Sequence, residues 1–85
     1  MSYQVLLRPG AERQRRKLDD KTRHRINDAL LSLEETPRPP GVVKLRTAGS
    51  EWRIRIGDYR VIYEIDEDER LMVILGIKHR REAYR

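Results

Sequence analysis

The chain has 85 residues, of which 38% are hydrophobic, and this length predicts one domain with a small core. It contains no Cys, which excludes disulfides and thiolate metal sites. Nineteen Lys and Arg against fourteen Asp and Glu give a formal net charge of +5, and only four of the nineteen are Lys, so a polyanion or an acidic protein is the favoured partner.

No long apolar segment opens the chain or runs through it. The first ten residues, MSYQVLLRPG, lack a basic region followed by an apolar stretch of about 7–15 residues, so no secretory signal is expected. No apolar run approaches the roughly 18 residues of a membrane span. We therefore expect a cytoplasmic protein with no membrane partner.

The first half of the chain predicts one strand and two helices. The segment YQVLL (Tyr3–Leu7) is β-prone and ends at the breaker RPG. A polar helix is expected from Ala11, and a second helix from Asp19 or Asp20, whose carboxylates can cap free N–H groups. The second helix is expected to end at TPRPPG. Its apolar residues fall on one face, which should pack on a sheet: Ile26, Ala29, Leu30 and Leu33.

The second half predicts four strands joined by turns. The strands are VVKLR (42–46), EWRIRI (51–56), YRVIYEI (59–65) and RLMVILGI (70–77). The last is apolar at successive positions, which is typical of a central strand covered on both faces. The order β-α-α-β-β-β-β predicts a single α+β domain over residues 1–85, with an N-terminal strand, a helical hairpin and a mostly antiparallel four-stranded meander.

Arginines alternate with apolar residues on the two strands of the predicted hairpin at Gly57. Arg53 and Arg55 precede the turn and Arg60 follows it, so tight pairing would bring three guanidinium groups to one face. Like charges this close repel unless an anion or a carboxylate lies between them. Two interpretations stay open: a phosphate-binding face, or a solvated face that is salt-bridged by Glu64.

The end of the chain, KHRREAYR, combines basic residues with an aromatic one. A basic groove beside an aromatic ring is typical of sites for single-stranded nucleic acid, because charge follows the backbone and the ring stacks on a base.

Sequence signals for other kinds of binding site are weak. The five Gly form no phosphate-binding loop, two His leave little for zinc, and the DEDE turn lacks EF-hand spacing. No metal and no cofactor is expected.

Two motifs of the second half resemble a known family. GDYRVIYEI (57–65) and HRREAY (79–84), following a strand and a polar helical hairpin, resemble the RelE/ParE superfamily of type II toxin–antitoxin toxins, most closely its RelE branch of mRNA interferases. The likeness extends over nearly the whole chain. It implies a metal-independent, ribosome-dependent endoribonuclease that cuts mRNA in the A site and so inhibits translation during stress.

The resemblance also assigns roles by position. The residues that match the family's site would bind the mRNA backbone, stabilise the scissile phosphate and position the reacting nucleotide: Arg53, Arg55, Arg60, Lys78 (or, with a shift, Arg80 or Arg81) and Tyr84. Further contacts with RNA are expected from other basic residues: Arg46, Arg80, Arg81 and Arg85.

The chain departs from the RelE pattern at two of these positions. Arg53 and Arg55 stand where RelE toxins have lysines, and Arg does not release its proton near neutral pH. Both are therefore expected to act only electrostatically. The general base is sought elsewhere, and His79 is favoured because an imidazole titrates near pH 6.5. The further candidates are Tyr84, Lys78 and Glu82.

Partners follow from the same resemblance. A small acidic RelB-like antitoxin is expected to cover the basic face or to displace the C-terminal tail, and operator DNA is expected to be bound only through that complex. The substrate would be mRNA on the ribosome, with 16S rRNA beside it. Two alternatives stay open: a ParE-like toxin that inhibits DNA gyrase, and a non-catalytic module that acts as an antitoxin-binding co-repressor. Only the nuclease would require Tyr84.

Overall fold

The secondary structure follows the predicted order, with one short helix added at the end. The structure, a computed structural model, describes residues 2–45 and 51–83. The elements are β1 (Gln4–Leu7), α1 (Pro9–Arg16), α2 (Asp20–Glu35), β2 (Val43–Lys44), β3 (Glu51–Ile56), β4 (Tyr59–Asp66), β5 (Leu71–His79) and α3 (Arg80–Ala83). The α+β class and the predicted meander are confirmed. The strand expected at 42–46 is shorter than predicted, and Arg46 lies outside the described residues.

The strands form one five-stranded sheet in the order β1-β5-β4-β3-β2. The four strands β2 to β5 pair antiparallel as a meander, whereas β1 pairs parallel with β5. This arrangement makes β5 a central strand, as its apolar sequence predicts. It also places the C-terminal end of β5 beside the turn between β3 and β4, because Arg80 N–H donates to Asp58 O at 2.7 Å.

Helix α2 begins where the sequence predicts a cap, whereas α1 begins at Pro9, two residues before the predicted Ala11 and within the segment expected to be a breaker. Pro9 opens α1, a position at which its missing N–H costs no hydrogen bond. Asp19 caps α2, since its side chain accepts from Thr22 N–H at 3.4 Å. Hydrogen bonding by the Thr22 side chain, with a smaller contribution from backbone N–H groups that include that of Thr22, lowers the pKa of Asp19 below its ordinary value. The capping residue thus correctly predicted the start of α2.

The core lies between the helices and one face of the sheet. The buried apolar residues come from both helices and from β4 and β5: Ala11, Ile26, Leu30, Leu33, Val61, Tyr63, Ile65, Met72, Ile74 and Ile77. On the other face, the β5 side chains of Leu71, Val73 and Leu75 are only half-buried. The prediction that β5 is covered on both faces is therefore wrong for the described residues, because both long helices pack on the same side. We call the uncovered side the outer face.

No helix in the part of the chain that the structure describes has both the length and the hydrophobicity to cross a membrane. The short helix α3 was not predicted. It follows β5 directly and carries Arg80 and Arg81, both exposed.

Tyr63 ties the proline-rich segment after α2 to the core. Its ring is fully buried, and its hydroxyl donates to Pro37 O at 2.8 Å. Next to it, the Arg38 guanidinium lies 5.0 Å from the centre of the Trp52 ring and pairs with Glu67. Burial raises the pKa of Tyr63 to about 12. The segment is thus held by a hydrogen bond from inside and a cation–π contact at the surface.

Replacing Tyr63 by Phe should lower the free energy of unfolding by about 0.5–1.5 kcal/mol at pH 7, the value of one buried hydrogen bond. The folded-state pKa lies above the unfolded one, so this tyrosine destabilises the fold as pH rises from 10 towards about 12. The difference between the wild type and Tyr63→Phe, measured by urea unfolding, should therefore shrink between pH 9 and pH 11. A difference that stays constant, or grows, would contradict the burial of the hydroxyl.

Candidate functional site

Cross-strand register brings three basic residues into one row on the outer face. Arg55 lies opposite Arg60 on the neighbouring strand, and Arg60 lies opposite Lys78 on the next. Directly opposed residues have Cβ atoms about 4.5–5.5 Å apart. Arg53 stands two residues before Arg55 and therefore shares the face. The predicted common face of the three arginines is confirmed, and we call Arg53, Arg55, Arg60 and Lys78 the basic row.

The hairpin that pairs these strands depends on Gly57. Its φ of +60° lies in the left-handed region, which suits a two-residue turn with Gly at its first position. The Arg25 guanidinium also packs closely, because a Cβ at Gly57 would lie 3.1 Å from Arg25 Nη1. Arg55 Nε donates to Gly57 O at 3.2 Å. Turn geometry and helix contact together fix the register of the basic row.

The members of the basic row differ in exposure. Arg60 is only 6% exposed and is the one buried charged residue in the described ranges. Arg53 is half-buried, whereas Arg55 and Lys78 are exposed. A guanidinium keeps its charge at all physiological pH values, so Arg60 is a fixed cation in a region shielded from water. The row thus has a buried centre, Arg60, between the exposed Arg55 and Lys78.

Carboxylates do not neutralise the accessible members of the row. Across residues 2–45 and 51–83, the ion pairs join Glu12, Asp20 and Glu67 to arginines outside the row, and none involves Arg53, Arg55 or Lys78. Glu64, the predicted salt-bridge partner, instead lies opposite Glu51. The interpretation of a salt-bridged face therefore finds no support at these three residues.

Negative charge gathers at the other end of the same strands. A cavity of about 420 Å³ there is lined by Glu64, Ile65, Asp66, Glu67, Asp68, Leu71 and Val73. The sheet is therefore basic near the β3–β4 turn and acidic near the β4–β5 turn. Such a gradient favours an anion at the basic end and repels it from the acidic end.

The structure separates His79 from the basic row. His79 lies opposite Tyr59, with the two rings edge to face and their centres 5.1 Å apart. Its Nδ1 accepts from Arg81 N–H at 3.3 Å. Because Lys78 and His79 are consecutive in β5, they point to opposite faces, and His79 faces the helices. The alternation was visible in the sequence, yet the prediction grouped both residues in one basic tail.

The structure describes only some of the remaining predicted site residues. Arg80 and Arg81 begin α3 beside the row, and Glu82 follows in the same helix. The others lie outside the described residues: Arg46, Tyr84 and Arg85. In the described ranges, no three His, Asp or Glu side chains come together as ligands for a metal ion. A cavity of about 560 Å³ lies elsewhere, between β1 and α2.

A family model described as "ParE toxin of type II toxin-antitoxin system, parDE" matches residues 5–84. The chain belongs to the ParE toxin family. A relative, "Toxin RelG" of Mycobacterium tuberculosis, is 30% identical over 86 residues, covering 100% of this chain and 99% of that protein. The predicted membership of the RelE/ParE superfamily of toxins is confirmed.

Solved structures of related toxins share the fold. The archaeal RelE–RelB complex from Pyrococcus horikoshii superposes with a TM-score of 0.84 at 30% identity, covering 94% of this chain and 97% of that one. The toxin–antitoxin complex RelBE2 from Mycobacterium tuberculosis gives a TM-score of 0.83 at 26% identity, covering 93% and 99%. An Escherichia coli RelE mutant, with a TM-score of 0.82 at 21% identity and coverage of 99% and 90%, supports the fold alone.

Proposed function

We propose that this member of the ParE toxin family is a ribosome-dependent endoribonuclease that cuts mRNA in the A site. The observation that carries the proposal is the basic row, in which a buried Arg60 lies between Arg55 and Lys78 on adjacent strands. A gyrase-binding surface requires no such row of cations. A phosphodiester that gains negative charge during reaction does benefit from it.

The chemistry uses only the RNA and protein side chains. The 2′-hydroxyl loses its proton and attacks the adjacent phosphorus, the P–O5′ bond breaks, and the leaving 5′ oxygen takes up a proton. The products are a 2′,3′-cyclic phosphate and a 5′-hydroxyl end. The enzyme must align the three reacting atoms, stabilise the pentacoordinate phosphorane and move two protons.

The basic row meets the electrostatic part of this demand. Arg60, held rigid by burial, is assigned to the non-bridging oxygens of the scissile phosphate, because its planar fork can donate two hydrogen bonds to them. Arg53 and Arg55 are assigned to the flanking phosphates. Tyr84 is assigned to stacking on the reacting base. The further RNA contacts are proposed for Arg46, Arg80, Arg81 and Arg85.

Proton transfer is assigned to Lys78 in preference to His79. Lys78 is the one member of the row that can exchange a proton, since the three arginines cannot. His79 faces the opposite side of the sheet and is turned towards Tyr59 and the helices. The alternation of side chains along β5 thus favours Lys78 as the base, and not its neighbour His79, which the sequence analysis favoured.

An acidic RelB-like antitoxin is the proposed partner that neutralises this activity. Two of the related toxin structures described above are complexes with antitoxins. The accessible cations Arg53, Arg55 and Lys78 offer such a partner three carboxylate-binding positions, and a bound antitoxin would exclude mRNA and 16S rRNA from the same face. Operator DNA would be bound by the complex and not by the toxin alone.

The test is to induce the chain in cells and map the 5′ ends of mRNA, beside Tyr84→Ala. New ends inside translated codons, absent in the variant, would support the nuclease. Intact mRNA together with growth arrest would refute it.

A second candidate, inhibition of DNA gyrase, is favoured by the ParE description of the matching family model. Its signature in the same cells would be intact mRNA with relaxed or cleaved DNA, equally strong in Tyr84→Ala. If neither growth arrest nor cleavage of mRNA or DNA is seen, the remaining candidate is a co-repressor that acts only with its antitoxin.

A further inference from the structure

A second cavity lies across the sheet from the basic row, at the same end of the strands. Its volume is about 300 Å³, at the lower end of the range for small-molecule sites, roughly 300–1,000 Å³. It is lined by residues of α1, of the turn that follows and of the ends of β4 and β5: Gln14, Lys17, Leu18, Tyr59, Ile77 and His79. We call it the His79 cavity. None of these residues belongs to the basic row.

The polar groups of the His79 cavity are hydrogen-bond donors. Gln14 Oε1 accepts from Ile77 N–H at 2.7 Å, which leaves the NH2 of the side-chain amide to donate. His79 Nδ1 accepts from Arg81 N–H, so the proton of the neutral ring lies on Nε2. Lys17 contributes an ammonium group that forms no ion pair with any described residue. No carboxylate of the described side chains lines the cavity, so an anion with several acceptor oxygens fits it.

The remaining walls suit a flat ring. Tyr59 and His79 form an edge-to-face pair on one side, and Leu18 and Ile77 supply apolar surface. A ring bound there would gain aromatic contact, while an attached phosphate would meet the donors. A nucleotide has both parts, whereas a free inorganic anion uses only the donors.

We infer that the His79 cavity binds a nucleotide flanking the one that is cut, with its phosphate at Lys17, His79 and Gln14. The identity of the ligand as RNA rests on the proposed function. Lys78 and His79 are consecutive, so the basic row and the cavity lie on opposite faces of the same end of β5, and an RNA strand that joins them would pass beside α3. Arg80 and Arg81, both exposed, flank this path. The substrate-binding surface therefore covers both faces of one end of the sheet.

The test uses charge reversal at Lys17 with a matched control. Lys17→Glu and Lys21→Glu change the same charge at exposed sites near the α1–α2 turn, and only Lys17 lines the cavity. Affinity is measured by fluorescence anisotropy with a short single-stranded RNA whose 2′-hydroxyls are all methylated, which prevents cleavage. Lys17→Glu should weaken binding about tenfold and lower the salt dependence by about one counterion, and Lys21→Glu should weaken it less than threefold. Equal losses in the two variants would overturn the inference.

A second measurement localises the phosphate. The ring resonances of Tyr59 and His79 are followed by NMR during titration with uridine 3′-monophosphate, uridine and inorganic phosphate. Saturable shifts with the nucleotide that exceed those with uridine, and that Lys17→Glu abolishes, would support the site. Unmoved rings, or equal shifts with uridine and its phosphate, would overturn it. Both measurements are made without ribosomes. They therefore test the cavity separately from the proposed function, which is tested by mRNA cleavage in cells.

Discussion

Arg60→Met should lower the rate of mRNA cleavage about 10²–10³-fold, the effect of removing one preorganised donor to a developing oxyanion. Methionine is chosen because Arg60 is only 6% exposed, and a smaller residue would leave a cavity as well as remove a charge. The measurement is single-turnover cleavage of mRNA on programmed ribosomes. The loss should appear in the maximal rate more than in ribosome affinity, because the remaining members of the row still bind the backbone.

Two controls separate this effect from misfolding. Arg60→Lys keeps the charge and loses the planar fork, so it should recover part of the rate. Arg13→Met removes an exposed arginine of α1 and should change the rate less than threefold. Thermal unfolding of each variant establishes that it is folded. A folded Arg60→Met that cleaves at the wild-type rate would remove Arg60 from the reaction.

Lys78→Met should lower the maximal cleavage rate by about 10²-fold, within the usual range for a group that transfers a proton. Its neighbour is the matched control. His79→Asn keeps an acceptor for Arg81 N–H and should change the maximal rate less than threefold, because His79 lies on the opposite face of β5. Any loss in His79→Asn is expected in substrate affinity, through the His79 cavity.

The pH dependence of the rate decides between these two residues. If His79 were the base, wild-type cleavage would rise through the histidine titration range between pH 5 and pH 8, and His79→Asn would lose that rise. We expect the profiles of wild type and His79→Asn to superimpose. A flattened profile together with a large loss of rate in His79→Asn would return the base to His79.

The sequence alone determined the five strands, the two longer helices and their order. Caps and breakers act within a few residues, so Asp19 and the proline-rich segment after Glu35 define α2 without tertiary information. The alternation of Arg53 and Arg55 with apolar residues, and the turn at Gly57, predicted the common face of the arginines, since both depend on local backbone geometry.

The tertiary structure decided which residues are buried and which face of the sheet the helices cover. The burial of Arg60, the uncovered outer face of β5 and the separation of Lys78 from His79 all depend on the side of the sheet that both long helices occupy. The sequence pattern of β5 is apolar at successive positions and does not reveal which face is covered. The choice arises from long-range packing of α1 and α2, and it moved the proposed base from His79 to Lys78.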